Sequence, residues 1–350
     1  MKRLLFIVLF ISAQHLYADD NSKLVERGNY LTSLMLCKGC HTPASSAYQW
    51  QYSDSAKLLS GGMKIDFPPF GIFYTKNLTP NSETGIGLWS DADIENAVRH
   101  GIGRDGRGLF VMPSNSFAHL KDEDMAAITQ YLRSVKPIYH VVPQNQSVSV
   151  WRKIAAGLRI VTPFVENPSQ DWYYGDSGTF DTSTSKKPES FLPKPSKSVL
   201  EVPPAANGNP AAARGRYIAI LGLCVGCHTP VGAGGPKNEL FLAGGFTVQD
   251  PSCGTLYSSN LTPDKETGIG QWTDLELARA IREGTSRKGR KLCDIVMPSS
   301  LYASMTDQDL SDLIVYLRSL QPISNAVPQA EPTKTTMLQA QRFVIGNAGH

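Results

Sequence analysis

Cys37-Lys-Gly-Cys40-His41 recurs as Cys224-Val-Gly-Cys227-His228, and both copies run on into Thr-Pro. Two thiols three residues apart reach the two vinyl groups of one porphyrin, and the imidazole that follows then lies under its iron. A single pentapeptide of this kind also fits a zinc or a thiol–disulfide site. Two copies, each preceded by a helix of the same pattern, point to covalent haem. The expectation is two covalently bound haem c groups attached through Cys37, Cys40, Cys224 and Cys227, with His41 and His228 as proximal iron ligands.

Working outward from these pentapeptides, the whole chain divides into two copies of one unit. Arg27-Gly-Asn-Tyr30 and Arg214-Gly-Arg-Tyr217 open them. Gly61-Gly62 matches Gly244-Gly245, and Asn77-Leu-Thr-Pro80 matches Asn260-Leu-Thr-Pro263. Glu83-Thr-Gly-Ile-Gly87 with Trp89 matches Glu266-Thr-Gly-Ile-Gly270 with Trp272. Val111-Met112-Pro113-Ser114 matches Val296-Met297-Pro298-Ser299, and Tyr131-Leu-Arg-Ser134 matches Tyr316-Leu-Arg-Ser319. A small insertion near Cys293-Asp294 distinguishes the second copy.

The local pattern inside each unit is helical. Ser90-x-x-Asp93 and Thr273-x-x-Glu276 have the form of capping boxes, a hydroxyl at the N-cap with an acid three residues on. Met125, Ile128, Leu132 and Val135, and in the other copy Leu310, Leu313, Ile314 and Leu317, recur at helical spacing and predict core-facing stripes. Between the units, residues 176–204 are rich in Ser, Thr, Pro and Lys and read as an extended connector. A short helix is expected before it, over 149–161.

Each iron needs a sixth ligand or an open site, and that choice separates electron carriers from catalysts. Met112 and Met297 are the repeat-equivalent methionines after the haem motifs, 71 and 69 residues beyond the proximal histidine. Each precedes a proline, whose fixed φ stiffens the loop that presents the thioether. Of seven histidines, only His41 and His228 are repeat-equivalent, so His/Met ligation is expected at both haems. A neutral thioether favours ferrous iron, and a saturated iron leaves no place for oxygen or peroxide. Trp89 and Trp272 carry indole N–H groups suited to a haem propionate, or pack in the core.

Four of the six cysteines are thereby used. Cys253 and Cys293 remain, both in the second unit, and in an exported chain a leftover pair forms a disulfide. The alternative is that Cys293, four residues from Met297, ligates iron as a thiolate and opens a catalytic reading. Arg287-Lys-Gly-Arg-Lys291 is a basic loop that is either solvated or a docking patch for an acidic redox partner.

The chain of 350 residues is long enough for two cores, with 41% hydrophobic and 19% charged residues. Lys2 and Arg3, the apolar run Leu4–Ile11 and Ala18 before two aspartates read as a cleaved export signal. Export agrees with covalent haem and with a persistent disulfide, and places the protein in the periplasm. Its removal takes two of 34 basic groups and no acidic ones, so the balance is near neutral and gives no argument for nucleic acid. No later stretch approaches the roughly 18–20 apolar residues that span a bilayer, which leaves at most a peripheral membrane association.

Taken together, Arg-Gly-x-Tyr, Cys-x-x-Cys-His-Thr-Pro, Asn-Leu-Thr-Pro, Glu-Thr-Gly-Ile-Gly-x-Trp, Met-Pro and Tyr-Leu-Arg-Ser resemble the cytochrome c subunits of membrane-bound alcohol, gluconate and aldehyde dehydrogenase complexes. The resemblance covers both units. It implies a mostly α fold of two tandem class I cytochrome c domains joined by an extended linker, with the cysteines, histidines and methionines in the roles given above. It also implies electrons passed from a dehydrogenase towards quinone or a terminal oxidase, and the expected partners are a dehydrogenase donor and an oxidase or other cytochrome as acceptor. One departure is that the family commonly carries three haem motifs and this chain has two. The expected organisation is a signal over 1–18, domains over 19–144 and 209–330, a linker over 145–208 and a tail over 331–350. The leading reading is an electron carrier, free or as a complex subunit, with no catalytic residues of its own. The alternative is a dihaem oxidoreductase with one labile or Cys-ligated haem, acting on thiosulfate or peroxide.

Overall fold

The structure, a computed structural model, describes residues 21–43, 55–67, 71–109, 111–147, 202–204, 208–232, 235–250, 253–294 and 296–328. The expected export signal, the helix over 149–161, most of the connector and the tail over 331–350 lie outside the described residues.

Each unit begins with a helix, α1 over 21–34 and α6 over Pro210–Leu221, that leads into the short haem-motif helix, α2 (Cys37–His41) or α7 (Cys224–His228). One leucine makes each join. Leu36 (φ 61°) and Leu223 (φ 57°) adopt the left-handed conformation, which costs a β-carbon-bearing residue about 1–2 kcal/mol. Burial of both leucine side chains against the core offsets that cost. The kink ends the long helix and turns the two cysteines and the histidine onto a separate face.

Hairpins follow: β1 (Lys64–Phe67) with β2 (Gly71–Tyr74), to which β3 (Gln146–Ser147) adds, in the first unit. In the second, β4 (Val231–Gly232) pairs with β5 (Gly235–Pro236), and β6 (Thr247–Asp250) with β7 (Gly254–Tyr257). All are antiparallel.

Capping boxes open α3 (Asp91–His100) and α8 (Asp274–Glu283), where Ser90 and Thr273 accept from the N3 backbone and the N3 acid accepts in return. Both helices end on a left-handed glycine, Gly101 or Gly284. The Met-Pro segments run into single turns, α4 (Ser114–Phe117) and α9 (Ser299–Tyr302). The last helices, α5 (Asp122–Ser134) and α10 (Asp307–Ser319), bury the expected stripes: Met125, Ile128 and Leu132, and Leu310, Leu313, Ile314 and Leu317.

The first and last helices of each unit cross at a glycine. A β-carbon on Gly28 would collide with the Ala127 carbonyl, and one on Gly215 with that of Asp312. The arginine just before each glycine then closes the crossing. Arg27 forks onto Asp124 at 2.8 and 3.0 Å, and Arg214 donates to Asp312 at 2.6 Å. At the other end of the last helix, Arg133 donates to the carbonyls of Ile86 (3.2 Å) and Trp89 (2.5 Å), and Arg318 to those of Ile269 and Trp272. The arginine of Tyr-Leu-Arg-Ser therefore clamps the Gly-Ile-Gly-x-Trp segment. The fold is mainly helical and consists of two tandem copies of one unit, as expected.

Candidate functional site

His41 and His228 sit in matching surroundings. The Nδ1 atom of His41 lies 2.7 Å from the Lys76 carbonyl oxygen, and that of His228 lies 2.7 Å from the Ser259 carbonyl oxygen. A carbonyl only accepts, so each Nδ1 carries the proton and each Nε2 keeps its lone pair for a metal. Burial holds both imidazoles below the usual histidine range, against the opposing effect of these hydrogen bonds. They are neutral, as iron ligation requires.

Lys76 and Ser259 are the residues just before the two Asn-Leu-Thr-Pro segments, and the motif is what fixes their carbonyls. Asn77 donates to Thr84 Oγ1 (3.1 Å) and the Ile138 carbonyl (2.8 Å), while its own Oδ1 accepts from the Thr79 backbone at 2.9 Å. Asn260 repeats the pattern with Thr267 (3.0 Å), Ile323 (2.8 Å) and Thr262 (2.9 Å). The four side chains of this knot, Asn77, Thr79, Asn260 and Thr262, are buried, so their polar groups must be paired within the unit.

The Gly-Gly pair completes the arrangement. The Gly61 N–H donates to the His41 carbonyl at 2.7 Å, and that of Gly244 to the His228 carbonyl at 2.7 Å. A β-carbon on Gly61 (φ 75°) would lie 2.6 Å from Asn77 N, and one on Gly244 (φ 76°) 2.5 Å from Ser258 O. Only glycine lets this strand approach closely enough to bring the carbonyl under the imidazole. Thr42 and Thr229, the threonines of His-Thr-Pro, accept from the backbone of Leu59 and Leu242 at 3.1 Å each.

Cys37, Cys40, Cys224 and Cys227 are free, half-buried thiols. Desolvation pushes Cys37 and Cys224 up to about 12, and Cys40 and Cys227 up to about 11. Dithiol oxidoreductases instead lower the pKa of such a cysteine. Lys38, inside the first motif, donates to the Asn29 carbonyl (2.9 Å), Asn29 Oδ1 (2.6 Å) and Ser33 Oγ (2.8 Å), tying the haem turn to α1. Val225 is buried in its place in the second unit.

Met112 and Met297 are partly buried and pack against the core. Their loops differ. Met112 N–H donates to the Leu109 carbonyl at 3.2 Å, whereas Met297 N–H donates to the Cys293 carbonyl at 2.9 Å. Cys293 is joined to Cys253, 40 residues away in sequence, in the turn of the β6–β7 hairpin. With its sulfur so bonded, Cys293 has no thiolate to offer an iron. Asp294 accepts from Ser299 Oγ (3.0 Å), Ser300 N–H (2.8 Å) and Ser300 Oγ (2.6 Å). The insertion in the second unit thus supplies both a covalent tie and a cap for α9.

Trp89 and Trp272 are partly buried against the core. In the basic loop, Arg287 pairs with Glu276 at 3.4 Å, and Lys291 donates to the Glu283 carbonyl (3.0 Å) and Thr285 Oγ1 (2.8 Å). What residue-type reasoning missed are Lys76 and Ser259, which act through backbone carbonyls. Their one signal in sequence is adjacency to the repeated asparagine.

The donor set fits haem c: two uncharged thiols, four residues and one residue ahead of a neutral imidazole whose Nδ1 is already engaged, plus a loop-borne thioether, in duplicate. The cytochrome c family profile matches residues 25–136 and 212–321, more than half of the chain. The chain is 30% identical to the cytochrome c subunit of alcohol dehydrogenase (quinone) from Gluconacetobacter polyoxogenes, over 87% of this chain and 58% of that protein. It is 34% identical to the fructose dehydrogenase cytochrome subunit of Gluconobacter japonicus, over 87% of this chain and 54% of that one. A diheme cytochrome c-type protein of Cereibacter sphaeroides is 26% identical, with 82% of each chain covered. The chain therefore spans little more than half the length of the dehydrogenase subunits it matches, but most of the dihaem protein. Among the described residues no helix is long and apolar enough to cross a membrane. This chain belongs to the cytochrome c family, with one covalently bound haem c in each of two tandem domains.

Proposed function

We propose that the protein carries electrons in the periplasm from a dehydrogenase to a downstream acceptor, an oxidase or another cytochrome. Residues 1–18 are the export signal, 19–144 and 209–330 the two haem domains, and 145–208 their linker. Cys37 and Cys40, and Cys224 and Cys227, form the thioethers. His41 and His228 are the proximal ligands, and Met112 and Met297 the distal ones.

The observation that carries this reading is the duplicated proximal arrangement. In both units a backbone carbonyl accepts from the Nδ1–H of the motif histidine at 2.7 Å and leaves Nε2 free. Such a partner fixes ring orientation and raises ligand basicity. Haem supplies the one-electron chemistry when bound. The chain's own part is to hold the imidazole neutral and oriented and to close the opposite face with a stiffened Met-Pro loop. The names of the relatives favour a dehydrogenase as donor, since several are cytochrome subunits of such enzymes.

Met112→Leu and Met297→Leu test the ligand assignment. Each variant is expected to lose about half of the far-red Met–iron band and to bind carbon monoxide at one reduced haem. A variant that keeps the full band would overturn the assignment at that haem. Purification of the tagged protein from membranes and periplasm tests the donor. A flavin-, quinone- or molybdenum-containing dehydrogenase subunit is expected to come with it as a stoichiometric partner or to reduce it rapidly in solution.

A further inference from the structure

The two units meet through an approximate two-fold, built from the Arg-Gly-x-Tyr motifs and the starts of the last helices. Tyr30 of the first unit donates to Asp309 of the second at 2.5 Å. Tyr217 of the second donates to Asp124 of the first at 2.7 Å. Each tyrosine hydroxyl is also faced by the backbone N–H three residues before the partner helix's aspartate: Lys121 donates to Tyr217 at 3.1 Å, and Thr306 lies at Tyr30. These residues are repeat-equivalent pair by pair, so the contact is isologous in the sense of a symmetric dimer interface. Arg27 reinforces it, reaching Asp309 at 4.0 Å while bonded to Asp124.

At the centre of this contact the haem-motif segments approach each other. Leu34, three residues before Cys37, has its Cδ1 3.5 Å from where a β-carbon on Gly222 would stand, and Gly222 is two residues before Cys224. Phe117 and Tyr302 are repeat-equivalent, both almost fully buried, and α4 packs on α6 across the interface. Only Tyr302 carries a hydroxyl, which donates to the Gly222 carbonyl at 2.7 Å. Burial holds the pKa of that hydroxyl well above the usual tyrosine range, and charge on Cys224, Cys227 or, in the other unit, Cys40 would raise it further.

We propose that this interface is a fixed junction for electron transfer within the molecule, in which Tyr302 fills the space between the haem-attachment segments of the two units and the Tyr30–Asp309 and Tyr217–Asp124 pairs hold their separation. The proposal rests on the haem assignment above. One electron leaves the ferrous iron of one unit, which becomes ferric, and reduces the ferric iron of the other. Tyr302 is neither oxidised nor deprotonated, because its proton stays on the bond to Gly222. It is a positioning residue, so its ring matters and its hydroxyl matters little.

The test uses the full-length holoprotein and reads haem–haem coupling directly. Soret circular dichroism gives an exciton couplet that falls steeply with separation. Photoreduction with a ruthenium–bipyridyl donor gives the concentration-independent rate of electron redistribution, in which the two haems are told apart by their potentials. Tyr30→Phe/Tyr217→Phe is expected to lose most of the couplet and to slow redistribution about tenfold as the docked population falls. Tyr302→Ala is expected to slow it while Tyr302→Phe restores it, with the Met–iron bands unchanged in all three. Wild-type couplet and rate in both the double variant and Tyr302→Ala would overturn the proposal. Fewer than two six-coordinate haems in the wild type would instead overturn the haem assignment, and the optical spectrum separates that outcome from the first.

Discussion

Loss of the Cys253–Cys293 bond should fall on one haem domain and spare the other. The perturbation is Cys253→Ser/Cys293→Ser, which leaves the thioether cysteines untouched. The bond closes a loop across a sequence separation of 40, and the chain-entropy relation then gives about 4 kcal/mol of stabilisation at 25 °C. For a unit of this size that corresponds to a fall of about 15 °C in its melting temperature. The tie also reaches the proposed haem ligand, because the Met297 N–H donates to the Cys293 carbonyl at 2.9 Å and Asp294 next door caps the turn that follows. The Met112 N–H instead donates to the Leu109 carbonyl at 3.2 Å, and the first unit has no cysteine beside that residue. Thermal unfolding followed at the Met–iron band of the oxidised protein is the assay. The wild type should lose the band of the first unit first, and the double variant should reverse or merge that order. A double variant whose second unit melts within about 3 °C of the wild type would refute the reasoning, since that shift is under 1 kcal/mol.

Three further outcomes follow from the same geometry. Gly61→Ala or Gly244→Ala places a β-carbon at positive φ against backbone, and should cost at least about 1–2 kcal/mol in denaturant unfolding and perturb the ferric spectrum of its own haem alone. Asn77→Ala or Asn260→Ala leaves the buried Thr79 or Thr262 N–H without its acceptor, a loss of about 1–3 kcal/mol in the same assay. The Glu276 carboxylate is held below its ordinary pKa of 4.5, first by the Thr273 backbone N–H and with help from Arg287. A depressed acid contributes stability above its unfolded pKa and loses it as pH falls through the folded one. The gap between wild type and Glu276→Gln should therefore be full at pH 7 and shrink below about pH 4.5, and a pH-independent gap would contradict the assignment.

The helical skeleton was legible because it is written in side-chain type and spacing. Ser90 with Asp93, Thr273 with Glu276, and the stripes Met125–Leu132 and Leu310–Leu317 are patterns that local physics makes unambiguous. The haem-attachment pentapeptides were legible for the same reason. The acceptors of the histidine protons were not, because Lys76 and Ser259 contribute only a carbonyl, which every residue has. The left-handed leucines Leu36 and Leu223 were hidden by a residue type that disfavours their conformation. The tyrosines of Arg-Gly-x-Tyr were visible as repeat markers only. Tyr30 finds Asp309 across 279 residues of sequence, a pairing that no local pattern encodes.

The most direct test of the account is the haem content and ligation of the purified holoprotein. A pyridine haemochrome count is taken with the oxidised spectrum and the reduced spectrum under carbon monoxide. Two covalent haems per chain, a Met–iron band of full two-haem amplitude, and no change on adding carbon monoxide are predicted for paired His/Met sites. One haem, half the band or carbon monoxide binding would contradict it and leave one of His41, His228, Met112 or Met297 without its assigned role.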